Sequence, residues 1–189
     1  LDLGMNLIIH RGPDDSGKWI SGNTKTGLGH LRLSIIDLKN GSQPMMCREN
    51  RYVITFNGEI YNYLELKDQI GLKKFKTNSD TEVILEAYKL WGEKCLNKFR
   101  GMFSFVIWDI KEEELFAARD RFGIKPFYYF NNERGFFFAS EIKALLPFLK
   151  NKKIDYDALS DYFCFQFYLK EKNLISEVLT LLPGNYAIL

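Results

Sequence analysis

The feature that constrains this chain most is the apolar alternating run Tyr52-Val53-Ile54-Thr55-Phe56, which leads without a break into Asn57-Gly58-Glu59. Alternation of this kind reads as a buried strand, and Leu64 to Ile70 beyond it reads as a helix leaving that strand. Asn57-Gly58-Glu59 then falls at a strand end, where a fold can gather a backbone N–H, a side-chain amide and a carboxylate in one small volume. Gly58 has no Cβ, so a substrate atom can come close to its N–H. Asn57 can donate from its amide, and Glu59 can receive an ammonium. The plain alternative is a hairpin turn, and on pattern alone the Asn-Gly pair favours it.

Taken in order, Leu1 to Ile9 reads as the end of an amphipathic helix, so a segment upstream of Leu1 is expected. His10 to Gly17 is a loop with two glycines and a helix-stopping proline. Lys18 to Ser21 reads as a short strand and Leu28 to Asp37 as a longer one. In the latter, Leu31, Leu33 and Ile35 share one face and Arg32 points away from them, either into solvent or towards a site. Asn40 to Pro44 is a turn cluster, and Phe75-Lys76-Thr77 is short and extended. Ser79 and Glu82 are spaced as a capping box opening a helix, which Val83, Ile84, Ala87, Tyr88 and Trp91 continue at i, i+3, i+4 spacing. Asp80 in its first turn is explained by the helix dipole alone, unless another site residue calls for a carboxylate there.

The second half is rich in strands. Gly101 to Asp109 and Glu114 to Asp120 form one expected hairpin, and Phe127 to Phe130 with Gly135 to Ala139 another. Ser140 to Leu149 and Asp155 to Phe165 read as helices, and Leu182 to Tyr186 as a turn into a strand. Short strands joined as hairpins indicate antiparallel sheets, with the amphipathic helices covering their outer faces. Two stacked sheets with helices outside is the architecture this pattern predicts.

Composition removes several function classes. With 26 basic and 24 acidic residues, a net charge of +2 gives no reason to expect nucleic acid or an anionic membrane. No apolar run approaches the ~18 residues of a spanning helix. The three cysteines Cys47, Cys95 and Cys164 are widely separated and have no metal-ligand spacing, and the two histidines are too few for a histidine metal site. A reducing, cytoplasmic setting is the expectation. Phosphate-binding glycine loops and G-x-S-x-G elbows are absent, and Asp14-Asp15 reads as a solvated loop pair.

The ordered set of motifs HRGPDDSG (10–17), LGHLRLSIIDL (28–38), GSQPM (41–45), FNGEIYNY (56–63), NSDTEVILEAY (78–88), RGMFSFVIWD (100–109), ARDRFGIKPFYY (118–129) and FASEIKALL (138–146) resembles the glutaminase domain of glutamine-hydrolysing asparagine synthetases. The resemblance runs from about Met5 to Leu149, and the closing LLPGNY is similar to the family's connection towards a second domain. It implies an α+β, N-terminal-nucleophile hydrolase fold in four layers, αββα. It divides the chain into a type-2 glutamine amidotransferase domain over 1–150, lacking its first strand, and a C-terminal helix and connection over 151–189. It also implies a chemistry: glutamine gives glutamate and ammonia, which a synthetase domain uses to amidate aspartate.

Residue by residue, Arg32 resembles the arginine that grips the glutamine α-carboxylate, for which a guanidinium fork is suited. Glu59 and Asp80 resemble the acceptors of the α-ammonium, Asn57 and Gly58 the oxyanion hole, and Leu33 and Ile35 positions whose backbone lines the pocket. No metal or cofactor is implied for this domain; ATP and Mg2+ belong to the synthetase domain of the longer parent. Glutamine and that synthetase domain are the partners implied, while the oligomeric state, a homodimer included, stays open.

Family enzymes begin with a cysteine whose thiolate attacks the amide and whose α-amine acts as base. No residue of this chain fills that role, so the fragment itself is expected to be inactive. The alternative is a degenerate amidotransferase-like domain that supports a partner without catalysing anything.

Overall fold

The computed structural model describes residues 1–34, 37, 40–71 and 75–189. Helix α1 (Asp2–Leu7) and a 3-10 turn (Ile9–Arg11) precede the hairpin β1 (Asp15–Ile20) and β2 (Gly27–Arg32). Strands β3 (Met45–Met46) and β4 (Tyr52–Ile60) follow, then helices α2 (Tyr63–Ile70) and α3 (Asp80–Trp91). Next come β5 (Gly101–Asp109), β6 (Glu114–Arg119), β7 (Tyr128–Asn132) and β8 (Gly135–Ala139). Two 3-10 turns, Ile142–Ala144 and Leu146–Phe148, lead to α4 (Tyr156–Phe165), β9 (Leu179–Thr180) and β10 (Tyr186–Ile188).

Among the described residues the strands pair antiparallel, in a five-stranded sheet ordered β10-β6-β5-β4-β3, a three-stranded sheet β8-β7-β9 and the hairpin β1-β2. One face of the five-stranded sheet presents Phe56, Ile60, Phe103, Phe105 and Ile107 to Leu66 of α2 and to Val83, Ile84 and Ala87 of α3. Its other face presents Val53, Val106 and Ala117 to Leu28 of β2 and to Phe127 and Leu181 beside the smaller sheets. A third cluster, Phe130, Leu145, Leu149 and Val178, joins β7 to the 3-10 turns. The order is therefore helices, sheet, paired sheets, then α1 and the 3-10 turns. Fully burying each large side chain of these interfaces contributes about 1.5–3 kcal/mol, so the two faces of β4 and β5 are where most stability resides. Residues 151–189 enter this framework through β9 on β7 and β10 on β6.

The loop between β6 and β7 is held by two adjacent charges. Arg119 donates to the carbonyls of Lys125, Leu181 and Gly123, each at 2.7 Å. Asp120, fully buried, accepts the backbone N–H groups of Phe103, Phe122, Ile124 and Lys125 at 3.0–3.1 Å. Burial alone would raise its pKa, but these donors outweigh it and hold the carboxyl below the usual carboxylate range.

Several expectations change. Asn57-Gly58-Glu59 is not a turn: all three lie near the end of β4 and pair with β5, opposite Ser104, Phe103 and Met102. β2 faces the other way from the expected alternation, with Leu28 and Arg32 buried and Leu33 59% exposed. The strand stops at Arg32, whose carbonyl takes the Asp14 N–H, and Asp14 Oδ2 then takes the Ser34 N–H. Leu33 therefore lies outside the pleat that would have turned it inwards. Phe75 to Thr77 forms no strand, because Glu82 accepts the Lys76 and Thr77 N–H groups. The capping box is accordingly half made: Ser79 caps the Thr81 N–H, while Glu82 is engaged elsewhere. Ser140 to Leu149 is two 3-10 turns rather than a helix, interrupted where Pro147 removes a donor.

Candidate functional site

Between the five-stranded sheet and the smaller ones lies an open cleft of about 670 Å³, and its walls carry Arg32, Leu33, Asn57, Gly58, Glu59 and Asp80. Ile35 lies outside the described residues. Three elements bring five of the six together, and Leu33 follows directly on β2. β4 sends Phe56 and Ile60 into the helix-side core, so by strand alternation Thr55, Asn57 and Glu59 face the opposite side, towards the cleft. β2 delivers Arg32, and the first turn of α3 delivers Asp80, whose carboxylate meets the Ile60 N–H of β4.

Gly58 is required by packing rather than by access. A Cβ there would lie 2.2 Å from the Met102 carbonyl and 2.7 Å from Phe103 Cα, at a φ of 155° that side chains rarely adopt. The space it leaves empty is thus filled by β5, not kept open for a ligand. Its N–H is a separate matter. Phe56 N–H reaches Gln43 Oε1 at 2.7 Å and Ile60 N–H reaches Asp80 Oδ2 at 3.0 Å, both on the edge away from β5. Tyr61 N–H points the other way, to Arg100 O at 2.7 Å. Gly58 sits between Phe56 and Ile60 in this alternation, so its N–H turns to the same outer edge. β3 covers that edge only at Val53 and Ile54.

Asp80 is 4% exposed and accepts the Ile60 N–H. Burial pushes its pKa up; backbone N–H donors, Ile60 foremost, oppose this without prevailing, and the Glu59 carboxylate adds a like charge. Two carboxyl groups so placed make a site that a bound cation would stabilise. Arg32, 7% exposed, donates from Nη2 to the Asp37 carbonyl at 2.7 Å. The Asp37 carboxylate in turn accepts the Asn78 N–H at 2.8 Å, which lowers its pKa and ties the Arg32 wall to the start of α3. His30, next but one to Arg32 on β2, meets Thr55 Oγ1 at 3.2 Å; burial, with Arg32 nearby, brings its pKa down to about 4. At neutral pH this wall therefore carries the Arg32 charge and an uncharged imidazole. Asn57 Nδ2 reaches Ser140 Oγ at 3.5 Å, across the cleft from β4.

Sequence reasoning passed over Gln43, Thr81 and Ser140, all on the cleft walls. Gln43 was hidden inside a turn cluster, and nothing local announces that its amide would reach β4. Ser140 was hidden inside a segment read as helix. None of the three cysteines lines the cleft: Cys47 and Cys95 are buried, and Cys164 is exposed on α4. Burial pushes the Cys95 thiol up to about 12. Among the described residues no three His, Cys, Asp or Glu side chains cluster as a metal site, and no helix is long and apolar enough to cross a membrane.

A family model described as a glutamine amidotransferase domain matches residues 3–189. Asparagine synthetase [glutamine-hydrolyzing] 1 of Bacillus subtilis (strain 168) is 44% identical over 181 residues, covering 95% of this chain and 28% of that protein. The putative asparagine synthetase [glutamine-hydrolyzing] 2 of Methanocaldococcus jannaschii is 44% identical over 184 residues, covering 86% and 36%. The chain thus spans roughly a third or less of the length of these relatives. Among solved structures, the Bacillus subtilis glutamine phosphoribosylpyrophosphate amidotransferase superposes with a TM-score of 0.64 at 23% identity, covering 76% of this chain and 39% of that one. An allosteric regulatory enzyme of purine biosynthesis superposes with a TM-score of 0.70 at 20% identity, covering 98% and 43%. At these identities the structural likeness speaks for the fold, and it agrees with the expected α+β, αββα N-terminal-nucleophile hydrolase arrangement.

Proposed function

This chain belongs to the glutamine amidotransferase domain family, and from that premise we propose that its cleft binds L-glutamine for hydrolysis to glutamate and ammonia. The observation that carries the reading is that Arg32, Glu59 and Asp80 line the same cleft. A guanidinium and two carboxyl groups lining one cleft suit an α-amino acid: the α-carboxylate on Arg32, the α-ammonium between Glu59 and Asp80. The ammonium would also supply the positive charge that buried Asp80 lacks. With the head group fixed there, the side-chain amide is directed along β4, towards Asn57 Nδ2 and the outward Gly58 N–H. Those two donors are suited to the oxyanion that forms when the amide carbon is attacked. Leu33, with Ile35 after it, would contribute backbone to the same wall.

Attack requires a thiolate or similar nucleophile, and Cys47, Cys95 and Cys164 are all away from the cleft. We therefore propose that this polypeptide binds glutamine without turning it over. In the longer parent an N-terminal cysteine would provide the nucleophile, and residues 151–189 would connect a domain spanning 1–150 to a synthetase domain that uses ATP and Mg2+ to amidate aspartate. Partnership with that domain and a cytoplasmic setting belong to the same proposal.

Calorimetric titration with L-glutamine tests the reading. The wild-type chain should bind, and Arg32→Ala should weaken binding roughly tenfold to a hundredfold, the range of one or two charge-assisted hydrogen bonds. Equal binding by both proteins would remove Arg32 from the site and the reading with it.

A further inference from the structure

The outer edge of β4 should continue its pairing with the segment before β3, and it does not. Met46 and Met45 pair with Val53 and Ile54, so two residues further back Gln43 stands opposite Phe56. The backbone pairing stops at Met45, before Pro44. In place of a strand, the Gln43 side chain makes both missing bonds: Oε1 accepts the Phe56 N–H at 2.7 Å and Nε2 donates to the Phe56 carbonyl at 3.1 Å. Nε2 also lies 3.5 Å from Thr81 Oγ1, one residue beyond Asp80 on α3.

We propose that Gln43 is a positioning residue of the site: its carboxamide replaces a strand on this edge and sets the spacing between the outward Gly58 N–H and the Asp80 carboxylate. The inference rests on the glutamine-binding reading and extends it to a residue that touches no substrate. Its logic is one of geometry. A true strand on this edge would consume the Gly58 N–H along with that of Phe56. A side chain satisfies Phe56 alone and ends there, leaving the next outward N–H facing the cleft. The contact with Thr81 then ties the same amide to the element that carries Asp80. The backbone of Gln43 is itself fixed, since its carbonyl lies where a Cβ on Gly17 would sit, 1.9 Å from that position. Ser42 Oγ next to it donates to Asp15 Oδ2 at 3.2 Å.

The test uses Gln43→Met, which keeps length and bulk but loses both bonds, and Gln43→Glu, which keeps only the acceptor for Phe56 N–H. L-Glutamine affinity is measured by calorimetry, and exchange of the Phe56 and Gly58 amides by NMR. Gln43→Met should speed Phe56 exchange and weaken glutamine roughly tenfold, about the worth of one hydrogen bond. Gln43→Glu should fall between it and the wild type in both readouts. Faster exchange with unchanged affinity would overturn the proposal and leave Gln43 a structural strut. Should Gln43→Met not fold, Thr81→Val removes only the link to α3, and undiminished glutamine affinity there overturns the spacing role. A wild-type chain that binds no glutamine would instead sink the site reading itself, a different result from a wild type and variant that bind alike.

Discussion

Asp80 and Asp120 are both carboxylates with almost no exposed surface, at 4% and 0%, yet their pKa values move in opposite directions. Burial pushes each upwards. Asp120 has four backbone N–H donors from the loop it anchors, and they outweigh the burial. Asp80 has the Ile60 N–H and the help of its helix start, with the Glu59 charge against it, and burial prevails. One carboxylate is complete within the protein; the proposed ammonium of glutamine would complete the other. The balance between burial and donors separates the two acids: burial prevails at Asp80 and the donors prevail at Asp120.

The largest effect expected from this contrast is on folding. Asp120→Asn should destabilise the chain by on the order of 3 kcal/mol or more, because an amide cannot accept from four N–H groups and leaves buried donors unmet. Asp80→Asn should leave stability unchanged or slightly higher at neutral pH, since it removes a buried charge that is poorly compensated. Urea unfolding of the two variants checks this, and equal losses would erase the distinction.

The same contrast explains what the sequence made legible. Strand runs such as Gly101 to Asp109, and the α3 periodicity, announce themselves because each residue's partners repeat along the element. The pattern offers Asn57, Gly58 and Glu59 as a candidate site but favours a turn, and only the resemblance sets Arg32 and Asp80 beside them in place of a solvated arginine and a helix cap. What the pattern misplaced was decided by distant groups. Glu82 takes the N–H groups of Lys76 and Thr77 and so prevents the expected short strand. Gln43 reaches Phe56, 13 residues away, through side-chain atoms that no periodicity reports.

A smaller effect concerns Gly58. Gly58→Ala should cost about 1–3 kcal/mol, because its methyl would meet the Met102 carbonyl at 2.2 Å and β4 would have to shift from β5. A thermal melt measures it. An unchanged melting temperature would show that the strands separate there without cost, and the outward aim of the Gly58 N–H would lose its support.

The smallest effects lie in the pH dependence, and their signs differ. A folded-state pKa raised above 3.8 means that folded Asp80 holds its proton longer than the unfolded chain does. Stability from this group is therefore present below 3.8 and is lost as pH rises through the folded pKa. Asp120 works oppositely, with stability present above 3.8 and lost as pH falls through its lowered value. His30, lowered from 6.5 to about 4, also loses stability as pH falls across that window. Urea midpoints recorded between pH 6.5 and 4 should fall less steeply on acidification for His30→Gln than for the wild type, and more steeply for Asp80→Asn. Identical slopes in all three proteins would mean that neither group is perturbed by folding.

The most direct test is glutamine titration of Asp80→Asn at neutral pH, alongside the wild type and with folding checked in the same samples. The variant should fold at least as stably as the wild type while its affinity for L-glutamine falls roughly tenfold or more, in keeping with one lost charge-assisted contact. A stable Asp80→Asn that binds glutamine as tightly as the wild type would contradict the claim that this carboxylate is held incomplete for a ligand's ammonium.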